Sequence, residues 1–174
     1  RVAPFAQMLL GLGVKIVVMA ATILDSRLTL MELGLKDAKS TFVQIESAFD
    51  PKRRPIVYDP VGSMSYRNRA RTTPMIVERI VELANGDHRN ERGIVHTVSH
   101  KLAYHIAEAL RVHPRMPANR MVVQLPRGGG RDTIIARFLS GALGPNAILV
   151  GPGLMEGVDG KDDSLRWQVI AKAP

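Results

Sequence analysis

GIVHTVSHKLAYHIAEAL, residues 93–110, is the stretch from which the fold class is read. Its first five residues, GIVHT, have the composition of a buried strand. Ser99 then stands where a helix N-cap belongs. Leu102, Ala103, Ile106 and Leu110 follow at spacings of three and four, which places them on one helical face. Strand, cap and amphipathic helix within eighteen residues make the first half of a βαβ unit.

The pattern repeats downstream. Residues 121–125 (MVVQL) predict a strand, 126–130 a Gly-rich turn, and 131–139 a helix with Ile134, Ile135 and Phe138 inward and Gly141 as its stop. The short apolar run 147–150 (AILV) and residues 166–171 predict two more strands. Strands alternating with helices of about ten residues imply an α/β fold with a mostly parallel sheet flanked by helices. Upstream, residues 72–85 predict a helix with Pro74 in its first turn, an apolar stripe of Ile76, Ile80 and Leu83, and Asn85-Gly86 as its close. Residues 14–19, 41–45 and 56–58 read as further strands. Residues 26–33 read as a short helix capped by Ser26 and stopped by Gly34, and 59–71 as a loop.

The chain has 174 residues, enough for one good core or for one domain plus part of another. It carries no cysteine, which excludes disulfides and Cys-ligated zinc or iron–sulfur clusters in this stretch. No apolar run reaches the roughly 18 residues of a membrane span, and no signal peptide stands out. The composition therefore predicts a cytoplasmic protein without a membrane partner. The net charge of +8 favours a polyanionic partner or simply a soluble basic surface. The basic residues cluster at 52–54, at Arg67, Arg69 and Arg71, and at Arg111, Arg115, Arg120, Arg127 and Arg131.

Several residues carry a functional reading beside a structural one. After the strand at 147–150 comes a loop with Glu156 and Asp159 among Gly153, Gly157 and Gly160. Ligands collect beyond the carboxyl ends of parallel strands, yet an Asp-stabilised turn explains the same residues. Ser99, His100 and Lys101 open a helix whose N-terminus favours anions, and simple capping explains Ser99 equally. The PRGGGR turn, residues 126–131, resembles a phosphate nest and equally a flexible loop. Arg67, Arg69 and Arg71 form either a solvated loop or a nucleic-acid contact. Five histidines are present, but His96 and His100 fall on different elements, so no metal site is predicted.

Three blocks resemble, in order, motifs of the superfamily-two DNA helicases of the DinG/XPD-like branch. Residues 17–24 (VVMAATIL) resemble motif III, with Ala20 in the usual serine position and Ala21 and Thr22 matching. Residues 93–110 resemble motif IV, with Ser99-His100 where the family often has Ser-Tyr. Residues 153–174 (GLMEGVDGKDDSLRWQVIAKAP) resemble motif V through Glu156, Gly157, Val158, Asp159, Lys172 and Pro174. Between them, residues 58–69 (YDPVGSMSYRNR) are similar to a stretch of phage and archaeal members.

The resemblance implies a RecA-like three-layer fold. It makes residues 1–25 the tail of a first motor domain and 26–174 a second RecA-like helicase domain, incomplete at its C-terminus. Ala21 and Thr22 would couple hydrolysis to DNA movement. Glu156, Gly157 and Asp159 would lie beside the nucleotide. Ser99, His100, Lys101, Gly153, Arg67, Arg69 and Arg131 would contact DNA. ATP and Mg2+ would be held mainly by the first motor domain, whose GxxxxGK(S/T) loop and Asp-Glu-x-His motif this sequence does not contain, nor does it contain QxxGRxxR. Phosphoryl transfer needs those groups together, so this chain alone is expected not to hydrolyse ATP. The implied partners are single-stranded or forked DNA and the first motor domain of the same parent, in a prokaryotic or phage setting. An iron–sulfur domain upstream is left open. The rival reading is a non-catalytic basic α/β module that binds nucleic acid.

Overall fold

A computed structural model describes residues 8, 15, 17–20, 25–35, 39–46, 50, 52, 55–154 and 158–172 of the chain. By their internal contacts the residues fall into two units, Arg1–Ile56 and Val57–Pro174.

In the first unit, α1 spans Ser26–Glu32. Its cap is Asp25 rather than Ser26: the Asp25 carboxylate accepts from the amides of Arg27 at 2.7 Å and Leu28 at 3.1 Å. A carboxylate one residue earlier reaches two orphan donors at the helix start and so takes the capping place. Gly34, at φ +74°, ends the element as expected. The strands expected at 14–19, 41–45 and 56–58 are a different matter. The described residues of these runs form no strand, and Val17, Met19, Ile45 and Ile56 are largely exposed. β-branched composition becomes a strand only where a neighbouring chain completes the ladder.

The second unit holds the sheet. α2 is Arg69–Asn85, β1 Gly93–Thr97, α3 His100–Arg111, β2 Val122–Gln124, α4 Arg131–Leu139, β3 Ile148–Pro152 and β4 Trp167–Ile170. All the strands of this sheet run parallel in the order β2-β3-β1-β4. The α/β class is thus as the strand–helix alternation implies, with the layering of a RecA-like fold. α2 starts three residues before the expected Thr72 and takes Pro74 inside it. The Ser65 carbonyl accepts from the amides of Asn68 and Arg69 and winds the first turn early. Thr73 then donates its hydroxyl to the Arg69 carbonyl at 2.7 Å.

Side chains of a strand alternate between faces, and the core divides accordingly. On one face Val95, Val122, Ile148 and Val150 pack under Ile76, Ile80 and Val81 of α2 and Ala103, Ile106 and Leu110 of α3. On the other, Ile94 and Leu149 pack under Ile135 and Phe138 of α4, with Leu154 from the loop beyond β3. Three layers result. Among the described residues no helix is long and apolar enough to cross a membrane.

Candidate functional site

The strand order creates one distinctive place. The chain leaving β1 turns to the α2/α3 face, because α3 packs there. The chain leaving β3 turns to the opposite face, where Leu154, Val158 and Leu165 join α4. Adjacent parallel strands whose exits diverge leave a crevice beyond their carboxyl ends, the usual ligand position in open α/β sheets. The register sets Thr97 beside Pro152 and His96 beside Gly151, so the two exits begin at the same level.

Ser99 caps α3 from an extended backbone, its hydroxyl accepting from the Leu102 amide at 3.2 Å. The structural reading of Ser99 therefore accounts for its side chain. Thr97, which the sequence did not single out, donates its hydroxyl to the Ser99 carbonyl at 3.1 Å and stiffens the bend between strand and helix. Lys101 is exposed on the first turn of α3, which contains no acidic residue. His100 is half-buried, with its Nδ1 enclosed and without a partner among the described residues. The bare helix start plus Lys101 makes this end of the crevice electropositive.

Gly153 stands across the crevice at φ +66°, a left-handed conformation that favours glycine. Its carbonyl accepts from Nη2 of Arg131 at 2.7 Å. Arg131 also pairs with Asp132 at 3.2 Å. Its guanidinium is thus engaged within the chain, holding the start of α4 to the loop beyond β3. Asp132 in the first turn of α4 offsets the positive helix end, so an anion is favoured at α3 over α4. Around Gly128, Gly129 and Gly130 an added Cβ would meet nothing within 4 Å, so these three glycines border open space. Gly128 and Gly130, at φ +89° and +90°, are glycine for backbone reasons.

Asp159 is exposed in the β3–β4 connection. Glu156, Gly157, Ala21 and Thr22 lie outside the described residues. Lys172, half-buried, follows β4, and the Ala171 amide donates to the His96 carbonyl, which brings that end beside β1. Arg67 and Arg69 are exposed at the entry to α2. Among the described residues no side-chain hydrogen bond or ion pair joins them to the strand-end group. The sheet thus gathers Ser99, His100, Lys101, Gly153 and Arg131 at one edge and leaves Arg67 and Arg69 as a separate basic surface.

His96, on β1, is the other polar group the sheet encloses near this edge. Its Nε2 lies 2.7 Å from Oε1 of Gln168 on β4, and its Nδ1 has no partner among the described residues. The signal was available in the sequence as a lone imidazole within an apolar strand, but Gln168 lies 72 residues away.

Comparison of the chain with protein-family models, with curated proteins and with solved structures finds no match.

Proposed function

We propose that the chain is the second RecA-like motor domain of an ATP-dependent DNA helicase of the DinG/XPD-like branch. In this reading the crevice between β1 and β3 grips a single strand of DNA and takes part in sensing nucleotide. The observation that supports it is the register of Thr97 beside Pro152. It puts the motif IV-like residues Ser99, His100 and Lys101 across from the motif V-like Gly153, at the divergence of two strand exits.

The roles follow from the chemistry of each group. The free amides at the start of α3, with Lys101, take a DNA phosphate. Arg131 fixes the Gly153 backbone and so positions the loop that carries Asp159. ATP is bound mainly by the first motor domain, which supplies the phosphate loop and the metal carboxylate. Among the described residues no three His, Asp or Glu side chains stand close enough to hold a metal ion.

Binding to a labelled single strand, followed by anisotropy as salt rises, tests the reading. Affinity should fall steeply, with log K against log salt sloping by about −0.7 per phosphate contacted. Lys101→Glu should weaken binding by roughly tenfold, the scale of one charge-assisted contact of about 1.5 kcal/mol. Fused behind a first motor domain with a phosphate loop, the chain should support DNA-stimulated ATP hydrolysis that Asp159→Ala lowers. Binding indifferent to salt and to Lys101→Glu, or hydrolysis indifferent to Asp159→Ala, would remove the motor reading.

A further inference from the structure

The turn before α2 has a geometry that the strand-end site does not explain. Met64 is tucked against the core under α2, and Val61 packs beside it. The buried Thr72 hydroxyl donates to the Ser63 carbonyl at 2.8 Å. A Cβ on Gly62 would come within 3.1 Å of the Thr72 methyl, so this strand of chain lies hard against the helix. The Ser65 carbonyl closes the turn by accepting from Asn68 and Arg69. The residues at its tip, Tyr66 and Arg67, are thereby held outward on a fixed support.

Tyr66 is 80% exposed. The Arg69 guanidinium lies 4.5 Å from its ring centroid, which covers one face and orients the ring, leaving the other face to solvent. Arg67, next in the chain, and Arg71, in the first turn of α2, are exposed, and among the described residues neither has a carboxylate partner. Asp59 is the one acidic residue between Val57 and Val77, and it is taken by Arg79 at 2.6 Å. Apart from Asp59, the charged residues from Val57 to Val77 are all arginines. An aromatic face with flanking arginines suits an unpaired base and its neighbouring phosphates.

We propose that Tyr66 is a base-stacking subsite for single-stranded nucleic acid. Arg69 backs the ring, and Arg67 and Arg71 take the adjacent phosphates. The subsite lies on residues apart from the β1–β3 crevice and stands whether or not the chain belongs to a motor.

The test compares two labelled oligomers of about twelve units, a length within the range that such surfaces cover. One is oligo-dT and the other its abasic counterpart, which keeps the phosphates and lacks the bases. The chain should prefer oligo-dT on the order of tenfold, the usual value of one stacked base. Tyr66→Ala should abolish the preference without changing affinity for the abasic strand, and Tyr66→Phe should keep it. Arg67→Ala and Arg71→Ala should weaken both oligomers alike and reduce the salt slope by roughly one contact each. The idea is overturned if Tyr66→Ala retains the preference, if the chain binds both oligomers equally, or if it binds neither. Lys101→Glu separates this subsite from the crevice. It should weaken both strands and leave the base preference intact, so a silent Lys101→Glu beside an active Tyr66→Ala would sink the crevice alone.

Discussion

Nη2 of Arg131 donates to the Gly153 carbonyl at 2.7 Å and joins the start of α4 to the first residue beyond β3. The bond crosses from one strand exit to the next. It holds a glycine whose left-handed backbone would otherwise be free to relax. Arg131→Ala should cost about 1 kcal/mol, since the guanidinium is only partly shielded. The more telling effect is local. Amides of residues 153–160 should exchange faster with solvent while those of β1 and β3 stay protected. Exchange unchanged in that loop would show that Arg131 does not hold it.

Arg120 is a buried cation that pairs with no carboxylate among the described residues. Its guanidinium donates to the carbonyls of Ala84, of His88 and Glu91 at 2.8 Å each, and of Asn146 at 2.8 Å through Nε. Burial pushes its pKa down to about 10, and the charge persists at neutral pH. The fork closes the end of α2, the turn before β1 and the approach to β3 in one contact. Lysine offers a point charge that cannot span four carbonyls. Arg120→Lys should cost about 3 kcal/mol, and Arg120→Met more, because the carbonyls would be left buried and unmet. Urea unfolding measures both. A loss under about 1 kcal/mol for Arg120→Met would mean that water replaces the guanidinium easily.

Gly93 lies directly across from Trp167 in the β1–β4 register. A Cβ on Gly93 would fall 2.0 Å from the indole, inside any real contact distance. The ring is held in place by its own hydrogen bond, Nε1 to the Glu91 carbonyl at 3.2 Å. Gly93→Ala should therefore cost at least about 2 kcal/mol by overpacking. Trp167→Leu in the same chain should recover part of that loss, because the two positions share one volume. Additive losses in the double variant would contradict this account.

These contacts mark the limit of what the sequence discloses. β1, α3 and α4 were legible because their signals are local: apolar period, a serine cap, a glycine stop. α2 began early because the decisive group was the Ser65 carbonyl, a backbone acceptor that no residue type announces. The β-branched runs at 14–19 and 56–58 misled for the opposite reason. They have strand composition, but among the described residues no neighbouring strand completes a ladder with them. In the candidate site, Ser99 and Gly153 were readable from cap and loop chemistry. The bond that ties Arg131 to Gly153 was not, since it depends on the order in which strands assemble. Arg120 was read as part of a basic cluster. Its true environment is a set of carbonyls 26 to 36 residues away.

Glu91 gives the fold a dependence on acid. His88 hydrogen-bonds its carboxylate at 2.7 Å, and that bond is the chief reason its pKa lies below the ordinary 4.5, with Arg166 adding to it. A carboxyl whose folded pKa is depressed adds stability that is fully present above its unfolded value. That stability is lost as pH falls through the folded value. Glu91 is partly exposed, so solvent screening limits the gain to about 0.5 kcal/mol. The reporter is built in, because the chain's one tryptophan, Trp167, stacks on the His88 ring at 5.6 Å. Urea unfolding followed by Trp167 emission should show Glu91→Gln less stable than the parent at pH 7. The gap should begin to close as pH drops below 4.5 and vanish once the parent's carboxyl is protonated. A gap that stays constant through that range would place the role of Glu91 in packing rather than in charge.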